Sequence, residues 1–175
     1  MKIIYEDTRQ QAGKHRNIEP WMNEHGIELR RTKLYVGDYT LPTDQSVCID
    51  TKYGLQEVYS NLIGSQHERF TAEAKSAKET GIKLIVLVEQ GDIKSIDDVP
   101  GWKNPRIERY ERIKAGKLAG GYRNVTLQGK PPVSSEQLAR TMRTVSERYG
   151  VDWLFCRKDQ TAGTICELLG VEWWR

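Results

Sequence analysis

The run Ile82 to Val88 restricts the possible folds more than any other stretch of this chain. Apart from Lys83 it is apolar throughout, and it is bounded by Gly81 and Glu89. A short continuous apolar run of this kind predicts a central strand covered on both faces. Such a strand needs amphipathic partners, and the sequence supplies them. Gly54 to Leu62 carries Leu55, Val58, Tyr59 and Leu62 on one helical stripe, and Gln66 to Thr80 turns Phe70, Ala74 and Ala77 inward. Ser134 and Gln137 have the spacing of a capping box, opening a helix to Tyr149 with Leu138, Met142, Val145 and Tyr149 in register. Thr161 to Leu169 reads as a last helix. Residues 2–6, 27–34, 47–52 and 151–156 read as further strands. The order predicts an α/β fold, a mixed central sheet flanked by helices, in a single domain over residues 1–175.

The connections are less regular. Residues 14–25 read as helical, with Pro20 inside the stretch and Gly26 as its stop. Gly37-Asp38-Tyr39 is a turn into a strand, and Leu41 to Asp44 is a hairpin-like turn out of it. The block from Ile27 to Lys52 is therefore expected to be an antiparallel meander. Residues from about 91 to 131 hold Pro100-Gly101, Gly120-Gly121 and Pro131-Pro132, and read as an irregular insertion that includes a basic helix from Arg106 to Leu118.

With 175 residues and a mean hydropathy of −0.65, the chain has enough length for one core and no run long enough to span a bilayer. No stretch reads as a secretory leader, so a cytoplasmic or nucleoid-associated location, away from membranes, is expected. Cys48, Cys156 and Cys166 are widely spaced in apolar surroundings, and His15, His25 and His67 lack ligand spacing. Buried reduced thiols are expected rather than a zinc site.

The chemistry concentrates between Gly37 and Lys52. Asp38 stands alone in a turn, and Asp50-Thr51-Lys52 ends a short apolar strand. Alternation along the strand puts Asp50 and Lys52 on one face and Thr51 on the other. Two carboxylates suit a hard divalent cation, and an adjacent ammonium suits the charge that develops in phosphodiester hydrolysis. The same residues also suit a solvated strand end with an ion pair, and spacing alone does not separate the two.

Five blocks occur in order: EDTRQ (Glu6–Gln10), VGDYTLP (Val36–Pro42), CIDTKYGLQEVYSNL (Cys48–Leu62), ERF–AE (Glu68–Glu73) and KLIVLVE (Lys83–Glu89). Together they resemble the nuclease domain of XPF-type structure-specific endonucleases, a branch of the PD-(D/E)xK, restriction-endonuclease-like superfamily. The resemblance is strongest over residues 3–90. It implies a Mg²⁺- or Mn²⁺-dependent DNA endonuclease acting on branched, flapped or nicked DNA. By position, it implies that Asp38 and Asp50 hold the metal with the Thr51 carbonyl, and that Lys52 orients or activates water. Asp7 and Arg9 match the first-strand VDxRE motif, with Gln10 where that motif has Glu. Arg69 matches a helix arginine that faces the active site.

Some positions depart from the pattern. Asp50 replaces a longer Glu and Thr51 replaces an Arg. No Asp lies four residues after Lys52; Gln56 is there, and Glu57, one residue on, is the candidate replacement. No tandem helix-hairpin-helix segment is present, so grip on duplex DNA is expected from a homodimer or from a separate DNA-binding subunit. These departures also fit a second reading, an inactive nuclease-fold domain that binds DNA or acts as a scaffold.

From Lys103 to Lys130 there are eight Lys or Arg against two Glu. Arg106, Arg109, Arg112, Lys114, Lys117 and Arg123, interleaved with Tyr110 and Tyr122, are candidate phosphate contacts. A solvated basic face is the alternative. No base-reading motif is visible, so shape preference is expected over sequence readout.

Overall fold

The computed structural model describes residues 2–10, 16–115 and 131–174. Its six strands are β1 (Lys2–Asp7), β2 (Ile27–Thr32), β3 (Tyr39–Thr40), β4 (Val47–Lys52), β5 (Lys83–Glu89) and β6 (Asp152–Cys156). Six helices accompany them: α1 (Ile18–Glu24), α2 (Leu55–Leu62), α3 (His67–Glu79), α4 (Pro105–Lys114), α5 (Ser135–Tyr149) and α6 (Thr161–Leu168). The strands form one mixed sheet in the order β2-β1-β3-β4-β5-β6.

β5 lies inside the sheet between β4 and β6, one strand from the edge rather than at the centre, and is covered on both faces as its apolar run predicts. Leu84, Val86 and Val88 join Cys48 and Trp153 in a core with α2, α3 and α5. Ile85 and Leu87 join Ile4, Tyr39 and Ile49 in a second core with α1 and α6. The odd–even split along one strand is the pleat placing alternate side chains in opposite layers.

The antiparallel meander expected over Ile27–Lys52 is only half present. β3 is antiparallel to β4 as expected, but β2 lies at the sheet edge, parallel to β1. The reason is the connection: α1 carries the chain across, and a crossover returns a strand parallel. The two-residue β3 then inserts between β1 and β4, antiparallel to both. Pro20 falls in the first turn of α1, which starts at Ile18, where no intrahelical N–H is lost.

The first part of the 91–131 segment is built into the domain. A 3-10 helix over Ile96–Gly101, closed by a reciprocal Ser95–Asp98 capping box, buries Val99, and Ile93 is buried beside it. The buried Asn104 caps α4 by accepting from the Arg106 N–H, and its amide donates to the Val133 carbonyl. α4 itself buries none of its residues. The three cysteines are free and buried, and burial raises the Cys166 thiol to about 12. No helix among the described residues is long and apolar enough to cross a membrane.

Candidate active site

The site begins with a broken ladder. β3 pairs with β4 only at Tyr39 and Ile49, so the antiparallel register would set Gly37 opposite Thr51. Gly37 instead adopts φ +72°. A Cβ there would lie 3.1 Å from both the Cys48 Cβ and the Ile49 carbonyl oxygen, so glycine alone suits the position. At the kink the Asp38 carboxylate meets the Thr51 N–H. Asp38 Oδ2 accepts from the Thr51 N–H at 2.8 Å and from the Thr51 hydroxyl at 2.7 Å. The Asp38 backbone ties the two neighbouring strands together, donating to Ile49 O at 2.7 Å and accepting from the Asp7 N–H at 2.8 Å. The Gly-Asp-Tyr turn thus splices β1 to β4 and holds its acid at the strand end.

Asp50 and Lys52 share a face of β4, as alternation requires, and both are buried. The Lys52 ammonium is 2.7 Å from Asp50 Oδ1 and 2.6 Å from Oδ2. Burial pushes the Lys52 pKa down, but the charges of Asp50 and Asp38 outweigh it and the net direction is up. Lys52 is therefore an ammonium at neutral pH. Its stem packs near Phe70, with the ammonium 5.9 Å from the ring centroid.

These groups open into a cleft of about 590 Å³. Asp7, Arg9, Asp38, Asp50, Lys52, Glu57 and Arg69 all line it. The buried Asp7 is clasped by Arg9, whose Nη2 meets Asp7 Oδ2 and also donates to the Leu34 carbonyl. Burial pushes the Asp7 carboxyl up, and the Arg9 hydrogen bonds and charge overturn this and hold it below the usual range. Glu57 sits on the first turn of α2 and accepts from the Tyr53 N–H at 2.9 Å. It reaches the cleft wall while bracing a helix start.

Two further residues belong to this site although sequence reasoning gave them no role. Glu73 lines the cleft from α3 and accepts from the Gly37 N–H at 2.9 Å, bracing the kink that aims Asp38. Burial first, then the Asp50 charge, raises its pKa. Gln10, buried after β1, lies against Asp38 and Tyr39. Glu73 was legible only as the last letter of a family block, and Gln10 only as a departure from a motif. Among the described residues no three His, Cys, Asp or Glu side chains form a ready metal cage. The cleft is lined by five carboxylates and by no thiol or imidazole, an oxygen-rich set that suits a hard divalent cation and not a soft metal.

The basic candidates separate by position. Arg106, Arg109, Arg112 and Lys114 are exposed on α4. Arg106 turns onto α2, stacking 5.0 Å from the Tyr59 ring centroid and donating to the Ser60 hydroxyl at 2.9 Å. Lys117 and Arg123 lie outside the described residues.

The fold is similar to two solved structures, "XPF from Aeropyrum pernix, complex with DNA" and "XPF from Aeropyrum pernix". Each is 15% identical, with TM-scores of 0.59 and 0.57. The matches cover 98% and 97% of this chain but 64% and 60% of those chains, so this chain spans less than two thirds of their length. No curated protein matched. At this identity the likeness is one of fold, the restriction-endonuclease-like mixed sheet. A family model described as the ERCC4 domain matches residues 7–168, from the buried aspartate of β1 to the last turn of α6. The residues that line the cleft therefore all fall within that match, and the chain belongs to the ERCC4 domain family.

Proposed function

We propose that this chain is a divalent-metal-dependent endonuclease that hydrolyses phosphodiester bonds in branched, flapped or nicked DNA. The observation that carries the reading is the pairing of the buried Lys52 ammonium with Asp50 in one cleft with Asp38. Asp38 and Asp50, with the Thr51 carbonyl, would hold Mg²⁺ or Mn²⁺. When bound, that ion supplies Lewis acidity at the phosphate and a more acidic water. Lys52, kept charged by its carboxylate neighbours, stabilises the charge that builds on the phosphoryl oxygens. Arg69 and Arg9 face the same cleft and suit the phosphates flanking the scissile bond. Water would add to phosphorus as the bond to the 3′ oxygen breaks, leaving a 5′-phosphate and a 3′-hydroxyl. Asp7 fixes Arg9, and Glu57 and Glu73 complete the acidic wall. Arg109, Arg112 and Lys114, with Lys117 and Arg123, are proposed to contact DNA phosphates. Either a second copy or a separate subunit supplies additional grip.

The test is cleavage of forked, flapped and nicked duplexes with Mn²⁺ by the wild type beside Asp50→Ala. Cutting by the wild type alone is expected. Equal cutting by both proteins would remove Asp50 from the chemistry. Binding without cutting would favour the second reading, an inactive DNA-binding or scaffold domain. One observation favours that reading: the Asp7 carboxylate is already neutralised by Arg9 of the chain itself, which leaves it less charge to offer a cation.

A further inference from the structure

Gln10 occupies the position where the first-strand motif carries an acid, and its surroundings define an amide-specific role. With its nitrogen toward Asp38, the side chain donates to Oδ1 at 2.5 Å and to Oδ2 at 2.9 Å. The opposite orientation would set a carbonyl oxygen against a carboxylate, so the neighbours select the donor orientation. Its oxygen then lies 3.2 Å from the Tyr39 hydroxyl, which is also 3.0 Å from Glu6 Oε1, and the single phenolic proton serves one of these at a time. The Gln10 backbone is equally constrained. Its N–H donates to Asp7 O at 3.1 Å, and Arg31 reaches across from β2 to donate to Gln10 O at 2.7 Å and Thr8 O at 3.2 Å.

Asp38 is thus held from two sides. Thr51 supplies two donors to Oδ2 from β4, and Gln10 bridges both oxygens from the end of β1. Without Gln10, Oδ1 would lose its donor in a cleft that already holds the carboxylates of Asp50 and Glu73. An acid at position 10 would add a further negative charge within hydrogen-bonding distance of Asp38. An amide satisfies the carboxylate without that repulsion and fixes its orientation before any ligand arrives.

We propose that Gln10 is the positioning residue of Asp38, locking this carboxylate in the orientation that receives a divalent cation. The proposal rests on the metal-dependent reading of the cleft and adds to it a residue that acts through Asp38. Groups that orient a metal ligand change affinity by about 10–100-fold when removed.

The experiment compares Mn²⁺ binding to metal-free wild type and Gln10→Met by calorimetry, beside the thermal midpoint of each metal-free protein. Methionine keeps length and flexibility and removes the donor. The expected result is a Mn²⁺ dissociation constant raised about tenfold with a nearly unchanged metal-free midpoint. A purely structural role would lower the midpoint and leave the affinity of the folded fraction alone. If Gln10→Met fails to fold, Gln10→Ala, which also removes the donor, is measured the same way. A dissociation constant within twofold of wild type, or a tighter one, in a folded variant overturns the role of Gln10 and leaves the nuclease reading standing. A wild type that binds no Mn²⁺ overturns the metal-dependent reading itself, and this proposal with it.

Discussion

At the scale of single residues, the site is a set of charges that the fold has already matched. Asp50 and Lys52 are both buried and compensate each other, so removing one leaves the other uncompensated. Lys52→Met should cost about 3–5 kcal/mol in urea denaturation, whereas the Asp50→Asn/Lys52→Met double variant should cost less than Lys52→Met alone. Glu73 has the opposite character. Burial and the Asp50 charge raise its folded pKa above the ordinary 4.5, so its contribution to stability is fully present below 4.5 and is lost as pH rises through the folded value. In metal-free protein, Glu73→Gln should therefore raise the thermal midpoint at pH 7 by about 2–4 °C per kcal/mol regained and flatten the decline above pH 4.5. Glutamine keeps the acceptor for the Gly37 N–H, so a fall in the midpoint would mean that the carboxylate charge is favourable there.

At the scale of elements, the Gly37 kink and helix α4 are the pieces on which the proposed function rests. Gly37→Ala forces a side chain into φ +72° and against the Ile49 carbonyl oxygen. The left-handed conformation costs about 1–2 kcal/mol. The accompanying shift of Asp38 should lower cleavage by about a hundredfold, measured as kcat on a flapped duplex. On α4, the arginines divide into two kinds. Arg106→Ala removes the ring stack and the Ser60 bond and should speed amide hydrogen exchange throughout α4. Arg109→Ala and Arg112→Ala should leave that exchange unchanged. Each should make the log–log salt slope of DNA binding shallower by about 0.9, because one phosphate fewer is neutralised. Loosened exchange in all three variants would contradict this division.

At the scale of the whole molecule, two apolar layers clamp one sheet, and the cleft opens where β4 outruns its short neighbour β3. Met142 is fully buried on the α5 side, and Met142→Ala should cost about 2–5 kcal/mol while leaving the Mn²⁺ affinity of the folded protein unchanged. The core and the strand that carries Asp50 and Lys52 were legible in the sequence because they depend on periodicity. The run over Ile82–Val88, the stripes of α2, α3 and α5, and the shared face of Asp50 and Lys52 all follow from pitch and pleat. The position of β2 was not legible, because alternation identifies a half-buried strand but not its neighbour. Nor were Gln10 and Glu73, which act across 28 and 36 positions of chain on the Gly37-Asp38 turn. Spacing and side-chain chemistry thus specify the long strands and helices and the acids that end a strand, because these are local, while the short 3-10 helix over Ile96–Gly101 escapes them. Which strand lies beside which, and which side chain aims Asp38, emerge on folding alone, because those contacts join segments that no periodicity links.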